Sequence, residues 1–531
     1  MVKKPLLFQS NPGRVLPWKQ LLLIVLIPSF VVGIYFHILQ TNFIFDDFPN
    51  IPENGSIHLK SLDLASIKLV LTDAQLTTRP VANLSFALNY YFHQDRVLGY
   101  HLTNILIHIA NFFLLYLFIK LTLRLPVIRS QYSDSSIHWI PLVAASLWVV
   151  HPLHTESVTY IVQRMNSLAA MFYLLSFIFY IKGKTVDGKK LKMIFFAGSI
   201  LSGFLALGSK ELAISLPLLV LLYEWYFFQD LNRDFLKRCY PALGAYLILI
   251  IIMAFLFLGG NPLGNIMAGY KVYDFNLWQR LLTESRVVIF YISLLVFPHP
   301  SRMNLDHHFI FSQSLFSPLT TIFCSLFIAS LLLSALFLAR KERLVSFCIL
   351  WYFYNLIVES SIFPIELVFE HRTYIPSMMA ILLITILGDR YIRSSNIKII
   401  SVCGVVLLCS LYTYQRNTVW QDRITMWQDC VKKSPNKARP CNGLGRAYFS
   451  EGNYVQAIYW HKKALKINRM APLTHFYLAN ALKNKWYLKE AAFHYLRTIQ
   501  LLPSYEEAKK NYAAITRMIS AMAKRKREFN S

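Results

Sequence analysis

The sequence predicts an all-α protein: a polytopic bundle of membrane-crossing helices followed by a short α-solenoid. Three observations lead there. Only 15% of the 531 residues are charged and 55% are hydrophobic, whereas a soluble domain carries roughly a quarter charged residues; the mean hydropathy is +0.41. Apolar runs near the roughly twenty residues that cross a bilayer recur from residue 20 to residue 413. Beyond residue 413 the chain turns polar, and small residues recur with the 34-residue period of paired-helix repeats.

Spanning segments are expected near 20–39, 101–123, 138–150, 157–181, 192–208, 212–228, 241–259, 318–339, 344–358, 374–389 and 397–413, eleven in all. The first reads as an uncleaved anchor, because a basic flank (Lys3, Lys4, Arg14, Lys19) precedes it and no small-residue cleavage site follows. The stretch 281–297 carries Glu284 and Arg286 in its first turns and reads as an interfacial or re-entrant helix. With the N-terminus in the cytoplasm, five connections lie inside and each is basic: Arg124/Arg129, Lys182 to Lys192, Arg233 to Arg238, Arg340 to Arg343, and Arg390 to Lys398. That is the positive-inside pattern. It puts the loop 41–100 and everything after residue 413 on the extracytoplasmic side.

Residues 438–471 place Leu444, Gly445, Tyr448, Ala457 and Ala464 at positions 7, 8, 11, 20 and 27 of a tetratricopeptide unit. Residues 472–505 repeat the pattern with Leu478, Ala479, Ala491 and Pro503. A partial unit (Trp420, Trp427, Pro435) precedes them and a helical cap follows from Tyr505. Such arrays hold peptides or partner proteins in a concave groove. Residues 414–531 carry 22 Lys+Arg against 7 Asp+Glu, a net +15. This is read as a solvated helical surface and not as a nucleic-acid site.

Polar residues in the apolar half collect in few places. Asp46-Asp47 starts the first loop; Arg79-Pro80 and Asn83 lie within it; His101, Asn104 and His108 share one helical face. His151-Pro152-Leu153-His154-Thr155-Glu156 caps the third span and Gln163 to Asn166 follows it. Ser209-Lys210-Glu211 links the fifth and sixth spans, and Glu370 to Tyr374 opens the tenth. The expected topology brings all of them to the same membrane face, where ionisable residues mark functional sites by default. Adjacent carboxylates drive each other's pKa apart, which suits one of the pair to general-base work. Asp46, after an aromatic-rich run, is expected to be the more buried. Arg372 offers a bidentate phosphate fork.

Each group also has a plainer reading. Asp-Asp before Pro49 forms solvated turns, and Lys210-Glu211 and Glu370/Arg372 form local ion pairs. His101/Asn104/His108 suits hydrogen bonding between helices. His151/His154/Glu156 is a weak metal-ligand set, since Pro152 breaks its spacing. The Gly-Lys-Thr at 183–185 is no phosphate-binding loop, because that motif needs Gly at 178, where this chain has Ile178. The seven cysteines lack metal-ligand spacing, and Cys430 and Cys441 alone lie in the polar region, where they could pair in an oxidising compartment.

Read together, Phe45-Asp46-Asp47, Arg79-Pro80, Gly99 to Asn104, His151 to Glu156, Ser209 to Glu211, Phe297-Pro298, Glu370 to Pro376 and Trp420/Trp427 resemble the transmembrane and tetratricopeptide repeat-containing O-mannosyltransferase-like proteins. These fall within the GT-C class of lipid-dependent glycosyltransferases. The motifs run in order along nearly the whole chain. The resemblance implies a GT-C-like domain over residues 1–413 and a tetratricopeptide domain over 414–531. It also implies a dolichyl- or polyprenyl-phosphate mannose donor, Ser/Thr of a polypeptide as acceptor, and a catalytic acidic pair at Asp46 and Asp47. It fixes no cofactor and no metal. The short repeat array points to a bacterial relative, and so to an inner membrane with periplasmic repeats; a eukaryotic member would sit in the endoplasmic reticulum with lumenal ones.

The resulting expectation is an inverting transferase with Asp46 or Asp47 as base. Arg372, Lys210 and Arg79, with Glu370 and Tyr374, would bind the lipid phosphate. His151, His154, Glu156, Arg164, Asn104 and His108 would line the site. The competing expectation is a non-enzymatic scaffold or lipid-carrier flippase whose repeats recruit partners.

Overall fold

A computed structural model of the chain describes residues 18–73 and 78–530. Lys3, Lys4 and Arg14 of the basic flank, and the side chains of Lys19, Lys526 and Arg527, lie outside the described residues. Within them there is no strand, only a lone bridge between Ser314 and Ser317. The helices start where the sequence supplies partners for their free N–H groups. Asp63, Ser133 and Asp422 cap through side-chain oxygens, and Asn276 with Gln279 forms a capping box. Proline opens the helices Pro80–His93, Pro376–Tyr391 and Pro472–Asn484.

The chain divides into two compact units, Met1–Met303 with Ile310–Thr418, and Asn304–Phe309 with Val419–Ser531. In the first, each of the eleven expected segments falls on a helix. Among the described residues, seven helices are long and apolar enough to cross a membrane: Leu22–Gln40, Val97–Leu123, Ile161–Thr185, Lys189–Leu207, Arg233–Leu258, Thr320–Leu338 and Ser395–Thr418. The pair Asp134–Val149 and Pro152–Thr159, bent by 54° at its break, makes an eighth if it is one span. The helices Leu216–Phe227, Arg343–Leu356 and Pro376–Tyr391 have only 12, 14 and 16 residues. The first of them follows the 3-10 turn Glu211–Ser215, which takes up the start of the expected segment 212–228. The helix Leu277–Val296 is outside the seven and buries Arg280 and Glu284. The protein is an integral membrane protein.

Burial separates inner from outer helices. Val97–Leu123 and Arg164–Thr185 pack against each other, and Asp134–Val149 joins the first of them. These inner helices carry the polar side chains. Arg233–Leu258 buries no residue and exposes Ile251, Phe255 and Leu256, as suits a helix whose solvent is lipid.

In the second unit, the helix pairs Ala438–Ser450/Tyr454–Ile467 and Pro472–Asn484/Leu488–Leu501 are followed by Glu506–Asn530. A Cβ on Gly445 would lie 2.6 Å from the His461 ring, so this repeat position demands glycine for the helices to meet. Phe476, Leu478, Ala479, Leu488, Tyr495 and Ile515 form the apolar core. Asp306 pairs with Lys437 (2.5 Å) and Arg439 (2.6 Å). Burial alone would raise its carboxyl; Arg439 and then Lys437 hold it below the ordinary value. No disulfide joins Cys430 to Cys441: both are buried thiols, and the Cys430 sulfur rests 3.8 Å from Met426 Sδ.

Candidate active site

The geometry around the acidic pair begins with a strained residue. Phe45 has φ +46°, a left-handed conformation costly for a bulky side chain. The turn it makes separates the fates of its two neighbours. Asp46 is half-buried, whereas Asp47 is 1% exposed, so the expectation that Asp46 is the more buried is reversed. The Asp47 carboxylate accepts backbone N–H bonds from Ile44 (2.9 Å to Oδ2) and Val162 (2.7 Å to Oδ1). Burial pushes its pKa up to about 8, against the pull of those two donors. The Asp46 N–H donates to the Tyr160 hydroxyl at 2.8 Å.

Arg164 stands next to Asp47 in charge. It is wholly buried and donates to Asn104 Oδ1 (2.7 Å), Ser85 O (3.1 Å) and Tyr100 O (3.0 Å), with its guanidinium 4.6 Å from the Phe86 ring centre. Asn104 in turn donates to the Val158 and Ile161 carbonyls. His101, on the same face, hydrogen-bonds Thr41 O. The first loop is therefore tied to the inner helices through Asp47 and Val162, Asp46 and Tyr160, Thr41 and His101, and Ser85 and Arg164.

A second group gathers cations. Lys210 pairs with Glu359 at 2.8 Å and donates to Asn166 Oδ1 at 3.3 Å, while Asn166 donates to His371 O at 2.7 Å. Arg79 and Arg372 face Lys210 as like charges. Arg372 donates to Leu367 O (2.9 Å), and its Nε is buried without a hydrogen-bond partner. Arg79 grips Glu211 at 2.9 Å and reaches Met165 Sδ at 3.0 Å. His371 contacts Glu156 at 3.0 Å, and its N–H donates to the same carboxylate at 3.1 Å. Burial, then Lys210, holds the His371 ring well below its ordinary pKa. Burial alone would raise Glu359; Lys210 and then Arg372 bring it down to about 2.

The stretch 156–166 joins the two groups. From Glu156 to Asn166 it meets His371, Asp46, Asp47, Asn104 and Lys210 in turn. Three short pieces, Thr155–Thr159, Ile161–Gln163 and the start of Arg164–Thr185, turn successive side chains to different partners.

Other expected residues sit elsewhere. His108 bonds the Tyr374 hydroxyl (2.7 Å) and Val149 O (2.9 Å), and Asn111 also donates to Tyr374. His154 packs among Trp148, His108 and Tyr374. These residues form a buried interhelical network. His151 bonds Leu295 O, and Glu370 is buried with its carbonyl accepting the Thr373 hydroxyl. Among the described residues, no group of three or more His, Cys, Asp or Glu side chains is arranged to hold a metal ion. The His151/His154/Glu156 set does not converge because Glu156 turns to His371 and His151 to Leu295. The sequence reading passed over Tyr160, Arg280 and Glu359. Buried charge beside an apolar segment was the available signal for the last two.

Residues 445–485 match the TPR repeat family model. The chain is 25% identical over 92% of its length to protein O-mannosyl-transferase TMTC3 of Mus musculus, and equally to that of Homo sapiens. It is 24% identical over 84% of its length to protein O-mannosyl-transferase F38B6.6 of Caenorhabditis elegans. These alignments cover 56%, 56% and 62% of the respective relatives, so the chain spans little more than half their length. The chain is accordingly similar along most of its length to proteins named protein O-mannosyl-transferase, and it carries a tetratricopeptide repeat.

Proposed function

We propose that the chain is a membrane glycosyltransferase that moves mannose from a polyprenyl- or dolichyl-phosphate carrier to Ser/Thr hydroxyls of a polypeptide, with inversion. The observation that carries the reading is the stretch 156–166, which links a buried carboxylate, Asp47, to a buried cationic group. The acceptor oxygen attacks the anomeric carbon as the bond from that carbon to the phosphate oxygen breaks. Asp47 takes the hydroxyl proton, and Arg372, Lys210 and Arg79 balance the charge left on the lipid phosphate. Arg372 is the best placed of the three, because its Nε is buried and uncommitted. Asp46 and Tyr160 hold the turn. The catalytic unit is residues 1–413, and the repeat domain, 414–531, presents the acceptor on the extracytoplasmic side. The names of the relatives support the sugar, the acceptor and the reaction class.

The test is reconstitution of the purified full chain in liposomes with polyprenyl-phosphate mannose and Ser/Thr-bearing polypeptides. Mannose on hydroxyl oxygens, found by mass spectrometry, is the expected result. Movement of the lipid across the bilayer with no glycan transferred would overturn the reading in favour of a flippase.

A further inference from the structure

One carboxylate of the cationic group has no part in the transfer step. Glu359 is 9% exposed; its Oε1 accepts from Lys210 at 2.8 Å, and its Oε2 is buried with no hydrogen-bond partner. The turn that carries it is fixed. Arg280, itself fully buried, donates to the backbone carbonyls of Glu359 (2.7 Å), Ser361 (2.9 Å) and Ile365, and pairs with Glu284 at 2.9 Å. Arg372 lies close enough to couple electrostatically with Glu359. A buried acceptor, Glu359 Oε2, and a buried donor, Arg372 Nε, are thus both uncommitted in one charged cluster.

Uncommitted buried polar atoms are rare and call for an explanation. A phosphate satisfies the arginine but not the carboxylate, since phosphate oxygens are themselves acceptors and repel it. A hydroxyl satisfies the carboxylate. The ligand that satisfies both is a polyhydroxylated ring joined to a phosphate.

Building on the transfer reading above, we propose that Glu359 accepts a hydrogen bond from a ring hydroxyl of the donor sugar. It thereby makes the site prefer the sugar-bearing lipid phosphate to the bare one. The same carboxylate repels the bare lipid phosphate once the sugar has left, which helps the product depart.

The test compares binding of polyprenyl-phosphate mannose and of polyprenyl phosphate to the full chain in nanodiscs. Glu359→Gln is expected to weaken the mannose lipid by about tenfold or more. It should leave the bare lipid phosphate unchanged or tighter, because a like charge is gone and Lys210 is released. The donor KM should rise with little change in kcat. Equal weakening of both lipids would show that Glu359 only positions Lys210, and would overturn the inference while leaving the transfer reading intact. Should Glu359→Gln fail to fold, Glu359→Asp keeps the Lys210 pair while withdrawing the second oxygen; it must still lose the preference, and retaining it overturns the inference. Wild-type protein that binds neither lipid overturns the transfer reading and this inference together.

Discussion

Arg164 joins the helices Pro80–His93 and Val97–Leu123, and its replacement has a calculable cost. Arg164→Met removes three charge-assisted hydrogen bonds. Two of the acceptors, the Ser85 and Tyr100 carbonyls, sit within the helices Pro80–His93 and Val97–Leu123 and keep their helical partners. The third, Asn104 Oδ1, loses its donor at 2.7 Å, and an orphaned buried acceptor costs about 1–3 kcal/mol. Asp47 loses its neighbouring cation as well. The informative measurement is a double-mutant cycle of Arg164→Met and Asn104→Ala, read by equilibrium unfolding of the full chain in detergent micelles. A coupling of about 1.5–3 kcal/mol is expected for a hydrogen bond to a charged group. Coupling indistinguishable from zero would refute the claim that Arg164 ties the stretch 156–166 to the helix Val97–Leu123 at Asn104.

Four further outcomes follow from the geometry. Transfer should accelerate as pH rises through about 8 and level off above it, since Asp47 must be ionised to act as base; a rate flat from pH 6 to 9 contradicts this. The same group destabilises the fold as pH rises from its ordinary value towards about 8, because the folded state holds the proton more tightly than the unfolded chain does. Gly445→Ala should cost about 1–3 kcal/mol by overpacking against His461, seen as a lower melting temperature of the repeat unit. Asp306 stabilises its unit above the ordinary carboxylate pKa, and that stability is lost as pH falls through its depressed value. Acid unfolding of Asp306→Asn should therefore be less steep than that of the wild-type protein.

The repeats were legible because their period is local: Gly445 and Ala457 mark helix contacts within a few tens of residues of each other. The span positions were legible for the same reason, since apolar runs betray themselves. The length of the sixth was not, because the 3-10 turn Glu211–Ser215 takes up the start of the expected segment 212–228. The choice within the acidic pair was hidden too. Asp47 is fixed by the backbone N–H groups of Ile44 and Val162, and backbone donors leave no trace in side-chain identity. Aromatic neighbours pointed to Asp46, but the left-handed turn at Phe45 sends the second carboxylate inward. Glu359 finds Lys210 across 149 positions, a separation no motif spans.

Single-turnover transfer from polyprenyl-phosphate mannose by Asp47→Asn and Asp46→Asn tests the central claim most directly, with melting temperatures taken alongside. Asparagine at 47 can still accept one of the two backbone bonds, so the variant is expected to fold. Loss of the base predicts a fall of about 10²–10⁴ for Asp47→Asn and a change of less than about tenfold for Asp46→Asn. A folded Asp47→Asn protein that transfers at the wild-type rate, or the opposite ranking of the two variants, would contradict the assignment of Asp47 as the base.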